Sequence, residues 1–392
     1  IGVILDVVYN HTFFAKESIF NQTVPGYFYR QKPDGSFSNA SGCGNEIASE
    51  RKMVREYIID SLKYWVEEFH VDGFRFDLMG IYDLETMKTI RSEMDKLDDG
   101  LFLYGEGWIA DQSPMNEQLR AIKKNIAQLP GIGCFNDDFR DALKGNHGSK
   151  KNKGFISGLD LREEAVKFGV VGAVDHPQIV YNFVETSERA WATEPDQCIN
   201  YVSCHDNYTL WDKLKLSATK ATGIELQKMV KLAGALILTS QGVPFLHSGI
   251  EFCRTKAGSG NSYNLPDSVN QIDWDRKDKY LDVFEYYKKL IQLRKNHPAF
   301  RMTTSEQIRN NLKFCTPYQL GIVSYCIQGK EVGDSWEIII LIFNGNKGKI
   351  VIPIPEGIYR IVAEGNEINE FETDKTVSDE VQVEGISMTI LV

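Results

Sequence analysis

Val71-Asp72-Gly73-Phe74-Arg75-Phe76-Asp77 is the stretch on which the fold turns. A short, largely apolar run of this kind predicts a strand, and side chains alternate along a strand. Gly73, Arg75 and Asp77 therefore share one face, and Asp72, Phe74 and Phe76 share the other. If the phenylalanines pack against helices outside the sheet, Arg75 and Asp77 point inward at the strand's C-terminal end. A buried Arg beside an Asp keeps the carboxylate ionised and lowers its pKa, as a nucleophile requires. The same pair also serves elsewhere as a plain structural ion pair.

The same unit recurs on either side. Val3–Val8 predicts a strand ending in Tyr9-Asn10-His11-Thr12, followed by a helix over about 51–69 with Val54, Ile58, Leu62, Trp65 and Phe69 at helical spacing. Downstream come a helix at about 84–97, a strand at Leu101–Tyr104 and, after a long loop-rich stretch, a strand at Asn200–Ser203. Ala233–Leu238 lies in a helix, Val243–Leu246 predicts a strand, and Val283–Arg294 a closing helix. Strands alternating with helices imply parallel βαβ units, an α/β fold. Polar residues fall at the C-terminal ends of several strands, and no Gly-rich phosphate loop opens the first helix. Both features favour a (β/α)8 TIM barrel over a doubly wound sheet.

Residues 1–301 are assigned to this barrel and residues 302–392 to an all-β sandwich domain. The second assignment rests on Ile338–Phe343, Lys349–Ile354, Tyr359–Ala363 and Ile386–Val392, β-rich segments parted by Gly and Asn turns. The opening Ile1-Gly2-Val3-Ile4-Leu5 already reads as a buried strand. A missing N-terminal barrel segment, carried on the full-length chain, is therefore expected to supply the first strands.

Composition narrows the partners. Of 392 residues 42% are hydrophobic and 25% charged, ordinary for a globular protein, and no apolar run reaches membrane-span length. The net charge of −10, with acids and bases interspersed, disfavours nucleic acid, which needs clustered Lys and Arg. Neutral substrates such as sugars remain open. Seven scattered cysteines, an odd number, predict reduced structural thiols rather than a disulfide framework, and no Cys/His cluster suggests zinc.

Three further strand ends carry chemistry. Tyr104-Gly105-Glu106-Gly107-Trp108 places a Glu between two glycines, where it has little packing role. An adjacent Trp lowers the local dielectric and raises a carboxyl pKa, as a general acid requires; alone, an exposed turn Glu reads equally well. Ser203-Cys204-His205-Asp206-Asn207 supplies another carboxylate and an imidazole, though it could simply cap the following helix. On the first strand Asp6 and Asn10 share a face and His11 follows at the rim. Two carboxyl groups about 5–5.5 Å apart define a retaining glycosidase. Trp108, Tyr9, Tyr208 and Tyr263 are candidate sugar contacts, because pyranose rings present apolar faces to aromatics.

Taken in order, Asp6-Val7-Val8-Tyr9-Asn10-His11, Gly73-Phe74-Arg75-Phe76-Asp77, Gly105-Glu106-Gly107-Trp108 and His205-Asp206-Asn207 resemble the four signature regions of the α-amylase superfamily. That resemblance implies Asp77 as nucleophile, Glu106 as general acid/base and Asp206 as transition-state stabiliser. It implies His11 and His205 as hydrogen-bond partners of the reacting sugar and Arg75 as the residue positioning the nucleophile. Asp6, Asn10, Trp108 and Tyr263 complete the expected substrate-binding set.

Leu78-Met79-Gly80 follows the nucleophile where linear-chain amylases carry Lys-His. Together with Ser41–Glu46, Arg254-Thr255-Lys256 and Asn261–Asn264, it resembles the type I pullulanases, debranching enzymes that cleave α-1,6 bonds in α-glucans. Isoamylase-like enzymes are the near alternative, and a non-catalytic sugar-binding homologue is the reading from another class. The family's two preceding barrel strands and its substrate-stacking Tyr motif are absent from this sequence. No cofactor is implied; the resemblance admits calcium, but there is no contiguous oxygen-ligand loop like an EF-hand.

Overall fold

The computed structural model describes residues 1–315, 319–370 and 373–392, which form two compact units. The first unit comprises Ile1–Phe135 with Trp191–Ile199. Its strands β1 (Ile4–Val7), β2 (Gly73–Phe76), β3 (Phe102–Gly105) and β4 (Ile132–Phe135) pair in parallel in chain order, and Cys198 and Ile199 of β5 (Cys198–Asn200) continue the ladder along β4. Register aligns Asp6 with Arg75 and Arg75 with Tyr104, so neighbouring strands bring those positions onto one level.

The predicted helices flank the strands. Lys52–Phe69 buries Val54, Ile58, Ile59 and Leu62 and stops where His70 turns left-handed at φ 54°. Phe69, expected on the buried stripe, is 57% exposed. The last turn overhangs the layer, and Trp65 and Phe69 cover each other with ring centroids 4.9 Å apart. The helix Leu84–Asp95 is capped by the Asp83 side chain, which accepts from the Thr86 N–H at 2.9 Å. Phe74 and Phe76 are both fully buried, as strand alternation requires of the face opposite Arg75. Strand β1 departs from the expected burial: Val3 and Ile4 are 53% and 38% exposed, because β1 ends the sheet order and has β2 on one side only.

Strand β4 lies inside the stretch read as loop. Its Pro130-Gly131-Ile132-Gly133-Cys134 sequence masks an apolar run, yet all four strand residues are buried. The strand expected at Asn200–Ser203 runs instead from Cys198 to Asn200, which leaves Ser203–Asn207 in the loop beyond it.

The second unit comprises Asn136–Ala190 and Asn200–Val392. Its helices include Asp137–Lys144, Glu163–Val170, Leu210–Ser217, Gly223–Thr239 and Leu281–Asn296; strand β6 (Val243–Pro244) leads to Phe245, whose N–H donates to the Asn200 carbonyl at 2.8 Å. The remainder is antiparallel β. Strands β7 (Leu312–Phe314), β8 (Ile322–Gln328), β9 (Ile338–Asn344), β11 (Tyr359–Glu364), β12 (Glu367–Ile368) and β15 (Ser387–Leu391) form one sheet in the order β12-β11-β15-β9-β8-β7, with β13 (Thr376–Val377) on β11.

Strands β10 (Ile350–Pro353) and β14 (Glu380–Val383) form a second sheet. Ile340, Ile342, Ile361, Val381, Val383 and Leu391 belong to one apolar core. Strand β9 is apolar at every position from Ile338 to Phe343, as a strand covered on both faces must be. Its far side is covered too, and the Tyr325 hydroxyl on the neighbouring β8 donates to the Thr239 carbonyl at 3.3 Å.

Candidate active site

Arg75 organises the polar end of the parallel strands. Its side chain is only 7% exposed, and it meets three carboxylates: Nη1 donates to Asp6 Oδ1 at 2.7 Å and Asp77 Oδ1 at 2.9 Å, and Nη2 donates to Glu106 Oε1 at 2.5 Å. Burial alone would lower its pKa, but the Glu106, Asp6 and Asp77 charges more than offset this and hold it above the ordinary arginine value. The guanidinium thus stays charged and acts as a fork between two carboxylates on adjacent strand ends. Beneath it, the Phe135 ring lies 5.9 Å from the guanidinium carbon, and Trp108 packs obliquely on that ring at 6.3 Å.

Both oxygens of Glu106 are engaged, because the Leu78 N–H donates to Oε2 at 3.0 Å. Leu78 adopts φ 39°, a left-handed turn that aims this N–H back at β3, and the Gly80 N–H holds the Glu106 carbonyl at 2.8 Å. The glycines flanking Glu106 have a steric cause. A Cβ on Gly107 would collide with Cys134 Sγ and come within 2.8 Å of the Lys123 nitrogen; one on Gly105 would meet the Phe76 carbonyl at 2.7 Å.

Asp77 is held from the other side. Asn10, fully buried, donates its amide to Asp77 Oδ2 at 2.8 Å and to the Asp77 carbonyl at 2.7 Å. His11 Nδ1 lies 2.5 Å from the Asn10 amide oxygen, so the ring donates there from a protonated Nδ1. His11, Asn10, Asp77, Arg75 and Glu106 form one continuous hydrogen-bonded chain. Tyr9 does not join it, since its hydroxyl pairs with Ser61 Oγ of the helix behind at 2.7 Å.

The second unit carries His205, Asp206 and Tyr263. His205 Nε2 and Asp206 Oδ2 are 3.4 Å apart, with side chains 56% and 52% exposed. The loop that bears them is pinned from below: Lys256 Nζ donates to the His205 carbonyl, and the Lys256 N–H and Thr255 hydroxyl both donate to Asp212, at 2.7 and 2.5 Å. His247 is buried, and burial together with the Arg254, Lys256, His205 and Lys144 charges pushes its pKa down to about 3, so it is neutral. Arg254 Nη1 can only donate to its Nε2, at 3.1 Å. The proton therefore sits on Nδ1 and is donated to Ser203 Oγ at 3.3 Å. Arg254 also ties the Asn270 carbonyl at 2.6 Å, and Asn270 anchors the Ser262 carbonyl beside Tyr263, whose ring is 82% exposed.

Residues 308–367 match the family model of the pullulanase all-beta domain. Over 390 residues, 99% of its length, the chain is 40% identical to the pullulanase of Bacillus subtilis strain 168 and spans 52% of that protein. It superposes on the pullulanase from Bacillus acidopullulyticus with a TM-score of 0.93 at 42% identity, covering 100% of itself and 46% of that chain. The chain is a homologue of the pullulanases. A mutant pullulanase from Paenibacillus barengoltzii, 41% identical with a TM-score of 0.91, was solved in complex with maltotetraose; this chain covers 58% of it and is itself covered completely. The pullulanase homologue thus spans about half the length of the relatives it matches.

Of the sequence-predicted residues of this pullulanase homologue, Asp6, Asn10, His11, Arg75, Asp77 and Glu106 are brought into one network, with Trp108 linked through Phe135. His205, Asp206 and Tyr263 lie in the second unit. Sequence reasoning missed Phe135, the Leu78 N–H, Asp212 and His247. Only the Leu78-Met79-Gly80 segment carried a signal. Among the described residues no group of three or more His, Cys, Asp or Glu side chains is arranged to hold a metal ion, and no helix is long and apolar enough to cross a membrane.

Proposed function

We propose that this chain carries the catalytic residues of a retaining α-1,6-glucosidase that debranches α-glucans. The observation that carries the reading is the single guanidinium of Arg75 joined to both Asp77 and Glu106 in a homologue of the pullulanases. Asp77, ionised beside Arg75, attacks the anomeric carbon, while Glu106 protonates the departing glycosidic oxygen. Water then cleaves the glycosyl–Asp77 ester, with Glu106 acting as base. To deliver its proton, Glu106 must exchange the Arg75 or the Leu78 donor for the glycosidic oxygen. Asp206 braces the positive charge that develops on the sugar. His11 and His205 hydrogen-bond its hydroxyls, Asp6 and Asn10 act through Arg75 and Asp77, and Trp108 and Tyr263 offer apolar faces to glucose rings.

On this reading the parallel strands belong to a (β/α)8 barrel within residues 1–301, and residues 302–392 form the all-β sandwich. The partner is an α-glucan, not nucleic acid, and the reaction needs no cofactor. Selectivity for branches is supported by the site of Leu78-Met79-Gly80. Met79 is buried and Gly80 is pressed against the Trp108 carbonyl, so this segment shapes the floor of the site where a linear-chain amylase presents Lys-His. The test is the product profile on pullulan. Maltotriose as the sole trisaccharide supports α-1,6 cleavage, and other trisaccharides, or attack on unbranched amylose with pullulan untouched, refute it.

A further inference from the structure

The all-β part of the chain holds two cysteines that the hydrolytic site does not use. Cys315 follows β7 directly, and Cys326 lies on β8 opposite Lys313. The Cys315 N–H donates to the Ser324 carbonyl at 2.9 Å, which extends the ladder by one pair. The two cysteines are therefore diagonal neighbours on one face of an antiparallel pair, and their Sγ atoms lie 3.2 Å apart. Both thiols are half-buried and line a cleft of 370 Å³ between the two sheets, walled by Ile340, Ile342, Ile352 and Pro353. Cys134, Cys198 and Cys253 are buried, and Cys43 is exposed.

We propose that Cys315 and Cys326 are a thiol–disulfide exchange site that closes to a reversible disulfide with low-molecular-weight disulfide oxidants. The pair is polarised. Either sulfur can donate in this contact, but the Ser324 side chain adds a second stabilising contact to Cys315 alone, so the Cys315 pKa is lowered despite burial and that of Cys326 is raised. Cys315 is thus the nucleophile, because the thiolate is the attacking form. Its thiolate attacks one sulfur of the small disulfide, forming a mixed disulfide and expelling one thiolate, which takes up the Cys326 proton. Cys326 then attacks the Cys315 sulfur and expels the second thiolate. The protein loses two electrons and two protons, and the small disulfide becomes two thiols. Diagonal neighbours stand about 7–8 Å apart, beyond the roughly 4.4–6.8 Å that a relaxed disulfide spans, so closure must draw the two strands together. The bond is consequently strained and readily reduced, the property of exchangeable rather than structural disulfides.

The test uses the native protein that carries this chain, incubated with excess oxidised glutathione, quenched in acid, alkylated and digested with trypsin. Both cysteines fall in one tryptic peptide, Phe314–Lys330. The expected result is that this peptide loses two hydrogens and takes no alkyl group, and that excess reduced glutathione restores double alkylation. Cys326→Ser should trap glutathione on Cys315, whereas Cys315→Ser should modify Cys326 at least about tenfold more slowly. A doubly alkylated native peptide, in a sample whose denatured control reacts, overturns the proposal. So does a disulfide that reduced glutathione cannot reopen, and faster trapping on Cys326 than on Cys315 overturns the assigned nucleophile.

Discussion

Asn10 is joined to Asp77 twice, once at the carboxylate and once at the main-chain carbonyl, 2.8 and 2.7 Å from a single amide nitrogen. The two hydrogen bonds fix both position and rotamer of the Asp77 carboxylate relative to its own strand. Truncating Asn10 keeps the Arg75 hydrogen bond to Asp77 Oδ1 and removes the amide donor to Oδ2. Asn10→Ala is expected to lower kcat on pullulan about 10- to 100-fold, the loss of a hydrogen bond to a charged group, with little change in KM. A rise in KM at constant kcat would instead mean that Asn10 binds substrate directly.

The proposed acid role of Glu106 predicts a dependence on the leaving group. Glu106→Gln should slow natural glucan cleavage by about 10²–10⁴-fold and spare activated aryl glucosides, which leave without protonation. Asp77→Ala should abolish the covalent glycosyl-enzyme, detectable by mass spectrometry with a slow substrate. Equal losses on both substrate classes in Glu106→Gln would contradict the assignment.

Asp206 is expected to act by charge. Its side chain is half exposed and close to His205, so removing the charge should leave the fold unperturbed. Asp206→Asn should cost about 10²–10³-fold in kcat with an unchanged melting temperature. Preserved turnover with weakened affinity would reduce it to a binding residue.

Stability at acid pH should depend on Asp334. Burial would raise its pKa, but hydrogen bonds from the His297 ring and from the Trp336 and Ala299 N–H groups outweigh it and hold the carboxylate below its ordinary value. A folded-state pKa below the unfolded one means stability that is fully present above the unfolded value, about 3.9, and lost as pH falls through the folded one. Asp334→Asn should lower stability at pH 7 by about 1–3 kcal/mol and flatten its decline at acid pH. Denaturation midpoints at pH 7, 5, 4 and 3 give the comparison, and parallel curves for variant and wild type would rule the contribution out.

The sequence by itself determined the faces of residues 71–77. Strand alternation is covalent geometry, so Phe74 and Phe76 had to turn away from Arg75 and Asp77 wherever the strand was placed. It also determined the helix over about 51–69, through its apolar spacing, and the β character of the segments from Ile338 onward, whose runs of Ile and Val leave few alternatives; the stretch assigned to that domain from residue 302 opens instead on a helix, Ser305–Asn311. Tertiary structure decided which partners these faces meet. Asp6 reaches Arg75 only because β1 and β2 pair in one register, and Glu106 meets the same guanidinium because β2 and β3 pair with Phe76 opposite Gly105, which sets Glu106 just beyond the shared strand end. Neither follows from local pattern, since residues 69 and 31 positions apart carry no mark of their pairing. Strand β4 was hidden because its Gly133 serves close packing against Tyr104 and Ile199, which breaks the apolar run that would announce it. His247 was hidden for a related reason: its tautomer and neutrality come from burial and from Arg254, and burial is set by what the rest of the chain packs over a residue.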